Sequence, residues 1–307
     1  MTRRSASTRV RAGGAGRLAS LAAAGAIVLG ARPADATVNI ETVRARLGER
    51  EGLSGQIELR FSMRQGNVNV LDFAGASHLA FRRKRHFGIL ISDSRLVALT
   101  TWRRGQTTSD LSDPSARIQN QNMGHARYNF AFLDWLRGEA FVQLQADEFL
   151  IVRTRFLMGV GPRFLAYDGK ILRVAFGTSY MAEYEDLDEL RLVRQRPPAP
   201  ARNWWHRWNN YASISTRLGE RMGIAISTYV QPRFDMFRDL RVSATGELSI
   251  DLGEHWAFKL RTSLEYDSLP PVACARAIEP GTVCAREDEF PLRAVDLGIQ
   301  NAITVKF

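Results

Sequence analysis

Two cysteines and five histidines among 307 residues are too few for the clustered ligands that build zinc or iron–sulfur centres. The cysteines have no histidine or third cysteine beside them, so no metal and no cofactor is expected. Long apolar runs are also missing. After residue 36 nothing approaches the roughly 18 uncharged apolar residues of a membrane-spanning helix, and a mean hydropathy of -0.21 excludes a bundle of such helices. Helical periodicity is nearly absent beyond residue 50. Ordinary core material is not in short supply: 45% hydrophobic and 24% charged residues exclude a disordered chain.

Acid is missing from the opening MTRRSASTRVRAGGAGR, which carries five arginines. The short apolar stretch LASLAAAGAIVLGA follows, and then ADA, an A-x-A cleavage site. Together these read as a secretory signal peptide over 1–36, cut after Ala36. Its removal takes away six arginines and one aspartate, so the net charge falls from +10 to about +5. Most of the case for nucleic-acid binding goes with it. Cys274 and Cys284, the only cysteines, read as one disulfide in an exported chain.

What remains is alternation with a period of two. In HWAFKLRTSLEYDS, Trp256, Phe258, Leu260, Leu264 and Tyr266 share one face, while Lys259, Arg261, Glu265 and Asp267 share the other. Twelve strands are predicted, near 53–65, 68–82, 85–96, 123–135, 139–147, 149–165, 170–185, 206–217, 222–235, 239–252, 255–267 and 293–307. Connections at one end are short: RK, LRG, AYDG, GERM and GE. The three long ones, VALTTWRRGQTTSDLSDPSARIQNQN, DLDELRLVRQRPPAPARNWWH and SLPPVACARAIEPGTVCAREDEF, all fall at the other end. An even strand count with short turns on one side and long loops on the other is the pattern of a bacterial outer-membrane barrel. Trp256 and Tyr266 are ten residues apart, which at about 3.3 Å per residue and a tilt near 40° gives roughly 25 Å between aromatic girdles. That spacing, the loop asymmetry and the aromatic Phe307 at the end of DLGIQNAITVKF favour a barrel with its oily face in lipid over a soluble lipocalin-type barrel or a sandwich. The expected layout is a signal peptide (1–36), a periplasmic lead-in (37–52) and an all-β, antiparallel up-and-down transmembrane barrel (53–307). Pro162 and Pro232 fall inside predicted strands, where bulges or earlier strand ends are expected.

The ending resembles the terminal strand by which outer-membrane barrels are received by the barrel assembly machinery. The runs GLSGQIELRFSMRQGN, GHARYNFAF, EAFVQLQADEFLIVRTRFLMGVGPR, NNYASIS and YVQPRFDMFRDLRV resemble, from about Val38 to Phe307, the family of salt-induced bacterial outer-membrane proteins built on a domain of unknown function. The resemblance implies a barrel in the bacterial outer membrane, in contact with lipid and lipopolysaccharide, with a possible link to salt or envelope stress. It implies no activity.

The presumed lumen faces carry Glu58, Arg60, Arg127, Arg153, Arg155, Arg163, Arg173, Glu183, Arg217, Arg233, Glu247, Lys259, Arg261 and Glu265, with Arg64, Asp72, Arg241, Asp251 and Asp296 on the same faces. The favoured reading is a small porin-like channel with a mixed-charge, arginine-rich lumen, and the alternative is a non-conducting structural or interaction barrel. The lumen is a narrow, porin-like, anion-preferring pore, or it is filled by arginine–carboxylate pairs that brace a non-conducting barrel acting through its outer loops. An enzyme is not expected. Lipid hydrolysis needs a nucleophile beside a base, yet Ser77 and His78 point to opposite faces and no serine is placed beside His125.

Overall fold

A computed structural model describes residues 51–64, 70–87, 90–107, 117–148, 150–195, 198–274, 282–292 and 294–306. The expected signal peptide, cleavage at Ala36, most of the lead-in and the terminal Phe307 lie outside the described residues. Twelve strands close into an antiparallel barrel in the order β1-β15-β12-β11-β10-β9-β7-β6-β5-β4-β3-β2. They are β1 (Gly52–Arg64), β2 (Val70–Phe87), β3 (Leu90–Thr107), β4 (Arg117–Ala131), β5 (Leu136–Asp147), β6 (Val152–Asp168), β7 (Leu172–Leu187), β9 (Arg202–Leu218), β10 (Met222–Arg233), β11 (Met236–Asp251), β12 (Trp256–Asp267) and β15 (Val295–Lys306). The seam joins first and last strands, with Gln56 opposite Lys306 and Leu59 opposite Ile303. Three short strands, β8 (Leu192–Arg194), β13 (Val272–Cys274) and β14 (Glu289–Pro291), form a separate sheet.

Alternation decides which way each strand faces. On β15, Val295, Leu297, Ile299 and Ile303 are exposed on the outer face, whereas Ala302 and Thr304 are buried on the inner one. On β12 the outward Trp256, Leu264 and Tyr266 alternate with the buried Lys259, Ser263 and Glu265. The oily face is outside and the polar face lines the lumen. Exposed aromatics gather towards the two ends of the strands: Phe81, Tyr128, Phe164, Tyr167 and Trp256 at one, and Phe73, Trp102, Tyr180, Trp204 and Tyr266 at the other.

At one end, here the turn end, the connections are 88–89, 132–135, 169–171, 219–221 and 252–255; the loop end carries 65–69, 108–116, 148–151, 188–201, 234–235 and 268–294. The asymmetry stands, with two corrections. The first expected long loop is largely strand: β3 runs on to Thr107 and β4 begins at Arg117, leaving nine residues between them. The inward face there mixes Val97 and Leu99 with Thr101 and Arg103, while the outward face carries Thr100 and Arg104. Hydrophobicity therefore does not alternate even though the side chains do. The first turn also comes later than the RK placed it, because Arg82 to Phe87 continue β2 opposite Leu90 to Arg95. The charged run is a strand extension.

Both prolines behave as sheet chemistry requires. The register shifts between Pro232 and Arg233, where β10 ends. Pairing between β6 and β7 skips Gly161 and Pro162, passing from Val160↔Tyr180 to Arg163↔Gly177. Gly161 is there because β7 lies too close for a side chain: a Cβ would stand 2.0 Å from the Thr178 carbonyl oxygen. Replacing it by alanine must move backbone, and overpacking of this kind costs about 1–3 kcal/mol. Gly161→Ala should therefore lower the urea midpoint of the detergent-folded barrel. Gly253→Ala, at a turn with nothing within 4 Å, should leave it nearly unchanged.

Candidate functional site

The lumen is the site, and it is built from ion pairs in layers. Towards the loop end, Glu183 on β7 accepts from Arg207 Nε of β9 at 2.7 Å and from Arg241 of β11, and Arg155 Nε of β6 lies 3.1 Å away as an ion pair. Glu185, one layer further out, also takes Arg155 and Arg241. Asp239 binds Arg207 at 3.0 Å and Arg233 at 2.9 Å, and Asp267 binds Arg241 at 3.1 Å. Four arginines meet four carboxylates from six strands. Arg233 also lies 4.2 Å over the Trp205 ring.

Towards the turn end, Arg127 donates to Glu139 at 2.7 Å. The Tyr211 hydroxyl donates to the other oxygen of Glu139 and accepts from Arg163, each at 2.8 Å. Gly177 makes this possible. Tyr211 faces it directly across β7–β9, and its ring fills the space where a Cβ at 177 would lie, 2.1 Å from the nearest ring carbon. At the rim, Asp93 holds Arg82 at 2.9 Å and Arg137 at 3.3 Å.

The middle layer joins the seam. Lys259 Nζ is 3.0 Å from Glu58, Arg60 is 2.6 Å from Glu58, and Arg261 is 2.8 Å from Glu247. Arg60 also donates to Gln300. Beside these pairs lie polar groups with none of their own: Gln56 (both amide atoms), His78 (both ring nitrogens) and Thr304 Oγ1 are buried without a hydrogen-bond partner. His125 is buried too, but its Nδ1 meets Gln143 at 3.1 Å.

Two loops meet at the loop end. β8, between β7 and β9, pairs with β13, between β12 and β15. The Asp188 amide donates to the Ile151 carbonyl at 2.7 Å, and Arg191 donates to the Glu148 carbonyl at 2.9 Å. In the barrel order β12 stands opposite β5, so the chain from β12 reaches towards the far rim. Ile151, Val152, Leu187, Val272, Ala273 and Cys274 are all nearly fully buried there. Ile151 has φ 54°, a backbone state that is strained for a β-branched residue. Cys274 and Cys284 form the expected disulfide, with Cα atoms 6.0 Å apart.

Most of the sequence-predicted lumen residues come together. Glu58, Arg127, Arg155, Arg163, Glu183, Arg233, Glu247, Lys259 and Glu265 are buried, and Glu265 accepts from the Ser243 hydroxyl at 2.6 Å. Arg60 and Arg261 are partly buried beside them. Arg153 is misplaced: the β6–β7 register shifts between Val152 and Thr154, which leaves Arg153 half exposed at the loop-end rim, 3.8 Å from Asp188. Arg217 is exposed near the turn end, and Arg173 pairs with Asp168. Both line a mixed-charge cavity of about 90 Å³ with Lys170, Glu220, Arg221 and Asp251. Glu139, Glu185, Arg207, Asp239 and Tyr211 were not singled out. Arg207 shares parity with Asn209, Tyr211 and Ser213, and that was the available signal; three tryptophans nearby obscured it.

A family model described as "Protein of unknown function, DUF481" matches residues 93–274. No curated protein shows a significant match to the sequence. Among solved structures, the translocator domain of autotransporter NalP from Neisseria meningitidis is similar at 11% identity and a TM-score of 0.42, covering 87% of this chain and 93% of that one. A bacterial polysaccharide outer membrane secretin is similar at 8% identity and 0.40, covering 84% and 99%. The NanC porin is similar at 11% and 0.38, covering 82% and 97%. At that level of similarity nothing is carried over to this chain.

Glu183 ties three strands through three guanidiniums. Removing one partner of a buried ion pair costs about 3–5 kcal/mol. Glu183→Gln should accordingly lower the unfolding free energy of the detergent-folded protein by about that much, whereas Glu189→Gln, at an exposed rim pair, should change it by less than about 1 kcal/mol. Urea titration followed by tryptophan fluorescence reads both.

Proposed function

This chain belongs to the DUF481 family, described as proteins of unknown function, and we propose that it is an outer-membrane barrel braced shut by ion pairs, a structural or interaction barrel rather than a steadily open channel. The observation that carries this reading is the dryness of the lumen charges. Glu58, Arg127, Arg163, Glu183 and Arg207 are each at most 1% exposed, although they occupy the faces a conducting column of water would wet. Glu183 lies in the loop-end half of β7 and is still dry, which fits two loops closed over that end.

The outer face supports placement in a membrane. Exposed Leu59, Leu79, Val142, Leu144, Phe176, Ile214, Ile226 and Ile299 form a continuous apolar surface around the strands, and hydrocarbon is the medium in which such a surface costs least. The N-terminal segment would direct export and be cut after Ala36, and β15 would be the strand read by the assembly machinery. The salt-linked name of the family that the sequence resembles adds a role in salt or envelope stress, with lipopolysaccharide meeting the loop end. No catalysis is part of the reading. A channel that opens by rearrangement is the second reading, favoured by the mixed-charge cavity at the turn end.

Planar-bilayer recording on the refolded protein separates the two, once heat-modifiable gel migration shows a folded barrel. A folded barrel that passes no steady current is the expected result. Steady currents whose anion preference reverses in Arg155→Glu would replace the braced barrel with the pore.

A further inference from the structure

Asn301 puts an amide on the oily side of the barrel. It shares the outward face of β15 with Ile299 and Ile303, and all three are exposed. The aromatic girdles fix its depth. Trp256 and Tyr266 on β12 stand opposite Val305 and Val295 on β15, so Asn301 is four residues inside the turn-end girdle. At about 3.3 Å per residue and a tilt near 40° that is roughly 10 Å into the apolar band. Other asparagines on outward faces are answered within the chain. Asn120 donates to Glu148 at 2.7 Å, and Asn122 accepts from Arg104 at 3.3 Å. Asn210, also mid-strand, accepts from the Thr178 hydroxyl at 2.8 Å and donates to the Trp208 carbonyl at 3.3 Å. Among the described residues, Asn301 has no such partner. Leu260 lies opposite it on β12, and the nearby Thr262 hydroxyl already turns to the Gly246 carbonyl at 3.4 Å. The wall is also least supported here. Among the described residues, β1 pairs with β15 from Gln56↔Lys306 to Leu59↔Ile303 and no further towards the loop end, whereas β12 pairs with it along its length. The unanswered amide sits where the ladder to β1 has just ended.

Acyl chains neither donate nor accept hydrogen bonds, so lipid leaves this amide unanswered. A neighbouring barrel can answer it. An asparagine side chain has one acceptor oxygen and two N–H donors, which makes it complementary to a second asparagine. Copies of one chain enter a membrane in one orientation, so a closed pair of them has its twofold axis along the membrane normal. That axis sets a residue opposite its own twin at the same depth. Two Asn301 side chains then face each other, each donating to the other's oxygen. Around them Leu264, Leu297, Ile299 and Ile303 are apolar and exposed, and Gly246 adds no side chain, so two such faces can close about the pair. We infer that the outward face of β12 and β15 is an interface with a second copy of this chain, centred on Asn301. The inference rests on the membrane placement proposed for the barrel, and not on whether the lumen conducts.

The test uses the folded protein reconstituted at low density into phosphatidylcholine vesicles. Both natural cysteines are held in the disulfide, so an added cysteine is the one free thiol. Ile299→Cys, beside Asn301 on the same face, should give a cross-linked dimer on oxidation. Ile226→Cys, equally exposed on β10, should stay monomeric. Adding Asn301→Leu to Ile299→Cys should weaken dimer formation by about tenfold, the size expected for side-chain hydrogen bonds between membrane segments. Asn301→Gln should restore part of it. Leucine suits a lipid-facing position, so the loss cannot be put down to misfolding, and heat-modifiable gel migration checks the fold of each variant. Cross-linking no stronger at 299 than at 226, or undiminished by Asn301→Leu, would overturn the interface. Vesicle flotation separates the two failures: inserted monomers overturn the interface alone, whereas protein that does not float with the vesicles overturns the membrane placement as well.

Discussion

Every charge that faces the lumen of this barrel must be answered inside it. Behind each inward side chain is a wall of paired backbone, and beyond the wall is an apolar surface, so no partner can come from outside. A lone buried ion costs far more than folding can offset, which forces the arginines and carboxylates into register with one another. Some ties join strands that are not neighbours in the sheet. Tyr211 on β9 reaches Glu139 on β5, Arg241 on β11 reaches Glu183 on β7, and Arg207 on β9 reaches Asp239 on β11. Such chords fix the distance across the barrel, as hydrogen bonds along the wall do not. Their contribution is better described as selecting one closed arrangement than as adding stability, because desolvation removes most of the Coulomb gain.

The loop end follows from the same constraint. Glu183, Glu185, Arg155 and Arg207 stay dry only if water is kept from the mouth above them. Strand β13, paired with β8, buries Val272 and Ala273, and Ile151 and Leu187 are buried at the rim. Ile151 is left-handed, and its carbonyl accepts from the Asp188 amide. The disulfide at Cys274 sits at the end of β13 and pins the loop where it leaves the sheet.

Much of this was legible because a strand's period of two is rigid. The inward set on β12, Lys259 with Arg261 and Glu265, follows from Trp256 and Tyr266 facing outward, and the same parity placed Glu58, Arg127, Arg163 and Glu183. Parity fails where the chain inserts a residue, and Arg153 shows it: the irregularity at the start of β6 turns it to the rim while Arg155 stays inside, so the error is confined to one residue. Hydrophobicity fails earlier than parity does. β3 was cut short because a lumen face holding Val97 and Leu99 and an outer face holding Thr100 and Arg104 hide the alternation. Which arginine meets which carboxylate was not legible at all. It depends on the curvature of the closed barrel, which brings β11 within reach of β7 past β10 and β9 and sets the register between strands distant in sequence.

The split between rim and lumen has a consequence for salt. Dissolved ions screen charges over about 8 Å at physiological ionic strength, and they act on groups that solvent reaches. The pairs Arg202–Asp186, Arg194–Glu289 and Arg173–Asp168 have at least one well-exposed partner, and they weaken as salt rises. The pairs Arg207–Glu183, Arg127–Glu139 and Lys259–Glu58 are buried on both sides, so dissolved ions screen them far less. Ion pairs of the second kind keep their strength across external salt concentrations that weaken the rim pairs.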